Sequence, residues 1–201
     1  DLQKLLYHEM MHCWIGIKLR ATDKDEEDFK LLWFTEGFTE YFAYKAMLRD
    51  SVILAEEYQE VINKEFIDWL EQFPGINLTN SELSERFASD ESLMQLPYKR
   101  GFVFALLIDL KIKSASNHTL GLLDFMKTIS LHYEKTDMTI DEDFAFFSET
   151  CGDFIGEDFM KLHEAYIEKG LSVDLSCVNS LSYFHFSQNP ARVSNSSTPE
   201  D

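Results

Sequence analysis

The chain has 201 residues, 45% of them hydrophobic and 17 of them Phe, enough to bury a core and too apolar for a disordered chain. Eighteen Lys and Arg against 36 Asp and Glu leave a formal charge of −18, which repels phosphate backbones and argues against nucleic acid as a partner. The longest apolar run, GFVFALLI at 101–108, falls far short of the roughly 20 residues that a membrane span needs. Cys13, Cys151 and Cys177 are odd in number and unpaired in spacing, so neither a disulfide framework nor a thiolate zinc site is expected, and Cys13 reads as a small buried residue.

Taken in chain order, the elements are almost all helical. Residues 2–19 place Leu2, Leu5, Leu6, Tyr7, Met10 and Trp14 at helical spacing. An acidic stretch at 21–30, without the spacing of a calcium loop, leads to a second apolar helix at 31–48. A third is predicted over 51–72, capped by Ser51 and closed by Pro74-Gly75. Residues 76–96 read as loop with a short helix in SELSERFA, and a strongly apolar helix follows from about Lys99 to Lys113. Further helices are expected at 119–135, at 139–152 with a Thr139/Glu142 capping box and Gly152 as its stop, and at 156–170 with Gly170 as its stop. Residues 171–186 read as extended. The division is one helical domain over 1–186 and a Ser-, Asn- and Pro-rich linker or tail over 187–201.

Chemistry concentrates in YHEMMHCW. Residues four apart share a helix face, so His8 and His12 can both offer imidazole nitrogens to one ion. Glu9 lies about 100° round the helix, beside the metal instead of on it, where a carboxylate can take a proton from water. A catalytic zinc needs a third protein ligand, and LLWFTEGFTEYF supplies Glu36, an acid within an apolar helix that is costly to bury unless paired or bound to metal. Glu40, one turn on, either hydrogen-bonds a ligand histidine or faces solvent. The remaining histidines, His118, His132, His163 and His185, show no ligand spacing and read as surface or core-edge residues.

These residues resemble the gluzincin metallopeptidases, and within them the glycyl aminopeptidase family. The likeness lies in HEMMH with Trp14 after the second histidine, in Trp33 to Thr39, in LPYKRGFVFALLIDLKI and in the late FMKLHEAYIEKG. The resemblance implies one Zn²⁺ per chain held by His8, His12 and Glu36, with Glu9 as general base. It also implies that Tyr98, which by itself reads as a core-edge residue, donates a hydrogen bond to the tetrahedral intermediate. The implied fold is a mainly α bundle similar to the C-terminal part of thermolysin, with a peptide substrate and with upstream β-rich domains that this sequence lacks. The expected activity is release of small N-terminal residues such as Gly or Ala. The alternatives are an endopeptidase, or a non-catalytic helical module that keeps zinc as a structural or partner-binding site.

Overall fold

The computed structural model describes residues 2–22 and 29–175, with short backbone segments at 185–186 and 193–194. The architecture is mainly helical, as expected. Two long apolar helices, α2 (Leu32–Arg49) and α6 (Leu96–Ala115), form its centre, and α1 (Leu2–His12) packs against α2. Around them lie α3 (Ala55–Val61), which continues through a π-helical stretch (Ile62–Asp68) into α4 (Trp69–Gln72), and α5 (Asn80–Arg86). The chain closes with α7 (Leu122–Thr136), α8 (Phe144–Ile155), and α9 (Phe159–His163) with a π-helical turn (Glu164–Glu168). Besides an isolated bridge between Ile15 and Leu19, the one pair of strands among the described residues is two residues long, β1 (His185–Phe186) against β2 (Val193–Ser194), antiparallel.

Small residues set the spacing at the centre. A Cβ added at Gly101 would lie 2.0 Å from the Trp33 carbonyl oxygen, and one at Gly37 would lie 2.3 Å from the Gly101 Cα. The α2 and α6 backbones therefore touch where no side chain fits. Trp33, Phe34, Phe38, Phe104, Phe147 and Phe159 fill the space beside this crossing with rings set mostly edge to face, and all are buried. On the other side Phe66 stacks on Phe102 with centroids 3.6 Å apart. A buried acid ties three helices together: Asp109 accepts from the Tyr41 hydroxyl (2.6 Å), from Lys113 (2.6 Å) and from the Leu122 backbone N–H at the start of α7 (2.8 Å). Paired so fully, the carboxylate stays charged in the core.

Several helix ends differ from expectation. The first helix stops at His12 and not at Leu19, because the chain turns through Gly16 at φ +107°, a conformation that L side chains rarely adopt. Cys13, just past that end, is exposed and not buried. The third helix starts at Ala55; Ser51 sits in the turn before it, and the Leu54 N–H is satisfied by the Glu57 carboxylate (2.7 Å). The apolar helix begins at Leu96, three residues early, because Pro97 falls in its first turn, where a missing N–H costs nothing. Thr139 and Glu142 exchange the expected bonds, but in the turn before α8, whose cap is Asp143. That helix runs through Gly152 to Ile155 and stops at Gly156 (φ +72°). Gly170 does follow the last helical turn, at φ +64°. His163 is a core residue, and burial pulls its pKa down to about 4. The acidic residues at 23–28, Cys177 and most of the tail at 187–201 lie outside the described residues.

Candidate metal centre

α1 and α2 run alongside each other, so their one-turn repeats form facing ladders. His8 and His12 project from α1, and Glu36 and Glu40 from α2. The structure brings the three expected ligands together. His8 Nε2 lies 3.1 Å from His12 Nε2 and 3.3 Å from Glu36 Oε2, and His12 Nε2 lies 3.4 Å from the same oxygen. Four ligands set tetrahedrally at zinc distances of about 2.0–2.1 Å would be separated by roughly 3.3 Å. The triangle matches three corners of such a site.

Hydrogen bonds on the far sides of the rings fix what faces inward. His8 Nδ1 is 2.8 Å from Glu40 Oε2, and His12 Nδ1 is 3.2 Å from the Ile15 carbonyl oxygen. A carbonyl and a carboxylate only accept, so each Nδ1 carries the proton and each Nε2 of a neutral ring presents a lone pair. Two lone pairs and a carboxylate oxygen converging within 3.4 Å repel one another unless a cation sits among them. Without a metal, that cation is a proton. Burial pulls His8 down, but the Glu36 and Glu40 carboxylates outweigh it and raise its pKa to about 9. His12 is raised as well, chiefly by Glu36. Burial pushes Glu36 up, yet its bonds to His12 and His8 prevail and hold it at about 2.

Glu40 is buried, 3% exposed, and lies against His8, so it does not face solvent. Its second oxygen meets Lys4 Nζ at 2.6 Å, a partner that the sequence did not single out. Glu9 is exposed and does not join the triangle; it lines a cleft of about 550 Å³ together with Leu2, Leu5, His8, Gln95 and Tyr98. The Tyr98 ring stacks on His8 with centroids 6.0 Å apart, and burial, followed by the Glu36 carboxylate, raises its hydroxyl pKa. A wider apolar groove of about 660 Å³ runs by Trp14 and Leu131, but the group that could hold a metal reaches the smaller cleft through His8. Chemistry, not size, marks the site.

A helical bundle with a two-histidine, one-glutamate donor set on two packed helices defines a class: the chain resembles the helical subdomain of a gluzincin-type peptidase. Residues 1–95, just under half of the chain, match the M61 glycyl aminopeptidase family, and these residues hold all three donors. No curated protein matches the sequence. Among solved structures, an aminopeptidase N family protein from Idiomarina loihiensis is similar with a TM-score of 0.74 at 20% identity, over 92% of this chain and 34% of that one. That likeness is one of fold. The chain thus spans about a third of the length of its structural relative, and no described helix is long and apolar enough to cross a membrane.

Proposed function

We propose that the chain is the zinc-binding catalytic subdomain of a metallopeptidase that, within a longer protein, releases small N-terminal residues such as Gly or Ala. One observation carries the reading: two imidazole Nε2 lone pairs and the Glu36 carboxylate converge at 3.1–3.4 Å with both Nδ1 positions already bonded outward. His8, His12 and Glu36 would hold one Zn²⁺, which when bound supplies a Lewis acid and lowers the pKa of water. Among the described residues no fourth ligand joins these three, which favours an open catalytic site over a closed structural one. The match to the glycyl aminopeptidase family over residues 1–95 supports the peptidase reading and the substrate class.

The residues of the chain then have distinct tasks. Glu9, facing the cleft without touching the triangle, accepts a proton from the attacking water and passes it to the leaving amine nitrogen. Tyr98 keeps its proton because burial and Glu36 raise its pKa, so it can donate to the oxyanion that forms at the scissile carbonyl. Glu40 holds the His8 ring with its Nε2 free. Upstream β-rich domains, which the resemblance implies, would complete the substrate groove, and the relative's greater length leaves room for further domains. Metal analysis and a fluorogenic aminoacyl panel on the full-length protein test the reading. About one zinc per chain and turnover of glycyl or alanyl substrates are expected; a metal-free, inactive protein after incubation with zinc overturns it.

A further inference from the structure

On α1, Lys4 sits one turn before His8, as His8 sits one turn before His12. On α2, Glu36, Glu40 and Tyr44 repeat the spacing in the opposite sense, so each rung of one ladder meets a rung of the other. His12 faces Glu36, His8 lies between Glu36 and Glu40, and Lys4 meets Glu40 at 2.6 Å with its ammonium 5.6 Å from the Tyr44 ring centroid. The rung beyond the ligands is therefore a cation held by a carboxylate and an aromatic face.

We propose that Lys4 is a positioning residue for the metal centre, acting through Glu40 on His8. The inference rests on the metal-site reading above and adds a residue to it. Glu40 is almost fully buried and has two oxygens to satisfy. One accepts from His8 Nδ1, and the other accepts from Lys4. With both oxygens engaged the carboxylate plane is fixed, and it fixes the imidazole plane, which aims Nε2 at Glu36 and His12. With Lys4 gone, that oxygen loses its 2.6 Å ammonium contact, and Lys99, the other cation near Glu40, acts on it only through space. The carboxylate can then swing toward water and release the ring. Partners behind a ligating histidine typically change metal affinity by about 10–100-fold, and Lys4 supports such a partner. Lys4 is 36% exposed in the first turn of its helix, so its replacement perturbs the site and not the core.

The test is zinc affinity, measured by competition with a chromophoric chelator on the chain as it stands and checked by circular dichroism. Lys4→Met should loosen zinc by roughly 10-fold or more, Lys4→Arg should stay within a few-fold of wild type, and Glu40→Gln should weaken binding at least as much as Lys4→Met. Because Lys4 acts through Glu40, the double variant should bind no more weakly than Glu40→Gln alone. Lys4→Gln replaces the Met variant if the latter fails to fold. Wild-type affinity in a folded Lys4→Met or Lys4→Gln chain, or losses that add in the double variant, would overturn the inference while leaving the metal site standing. A wild-type chain that takes up no zinc would instead overturn the metal-site reading, and this one with it.

Discussion

Gly101→Ala tests how tightly the site depends on the crossing of α2 and α6. The added Cβ would stand 2.0 Å from the Trp33 carbonyl oxygen, whereas an unstrained C···O contact needs about 3.3 Å, so the helices must part by roughly 1.3 Å. Both neighbours are backbone (the other is the Gly37 Cα at 2.8 Å), so no side chain can swing away to absorb the strain. Overpacking of this kind costs about 1–3 kcal/mol and here should reach about 3, which for a chain of 201 residues lowers Tm by roughly 6–12 °C. The displacement also reaches the chemistry, because Glu36 precedes Gly37 and a shift near 1 Å is a large part of a 3.3–3.4 Å ligand separation. Differential scanning calorimetry and zinc competition should both register the change. A Tm within about 2 °C of wild type together with undiminished zinc affinity would refute the argument that backbone contact sets the ligand spacing.

Three further outcomes are expected. Metal analysis should find about one zinc per chain, lost in His12→Ala and kept in Glu9→Gln, which in the full-length protein should nonetheless abolish turnover; ejection of zinc by Glu9→Gln would make Glu9 a ligand. Tyr98→Phe in the full-length protein should lower kcat about 10²–10³-fold with little change in KM, and a near wild-type kcat would return Tyr98 to a packing role. In the metal-free chain His8 is raised from 6.5 to about 9, so its stabilisation is full below about pH 6.5 and is lost as pH rises through 9. Glu36 is lowered from 4.5 to about 2, so its stabilisation is full above about pH 4.5 and is lost as pH falls through 2. These two groups place the metal-free optimum between about pH 4.5 and 6.5, and zinc should displace at least one proton at pH 7, that of His8, with a further contribution from His12, whose pKa is also raised. Calorimetry in buffers of different ionisation enthalpy reads that proton directly, and a value near zero would show that His8 is neutral before metal arrives.

What could be read from the sequence follows from which features are local. His8 and His12 were legible because four-residue spacing fixes a shared helix face regardless of what packs there. Glu36 was legible because an acid among Leu, Trp and Phe has few ways to be buried. Whether Glu40 is buried depends on the packing of α1 on α2, which no single segment encodes, and Lys4 is illegible for the same reason: a lysine early in a helix is the commonest of features until the register of two helices is known. Helix ends went astray where more than one breaker was on offer. Gly152 and Gly156 are both glycines, and only the backbone turn at Gly156, with φ of +72°, shows which one stops α8. The role of Gly37 and Gly101 is a property of two helices together, so neither sequence segment reveals it alone.

The helix that carries both histidines is thinly buried compared with the two central helices. Of the residues of α1 only His8 is buried, while Leu2, Leu5, Leu6 and Met10 are 53–70% exposed. α2 and α6, by contrast, are buried along most of their length. Occupancy of the site would thus act as a clasp as well as a catalyst, since a ligand that binds only the folded form adds its binding energy to the stability of whatever it holds. Amide hydrogens of α1 should then exchange slowly when metal is bound and quickly after chelation, while those of α2 and α6 stay protected throughout. Scarcity of metal in the surroundings would be felt as local unfolding of this one helix, and proteolysis within YHEMMHCW would report it.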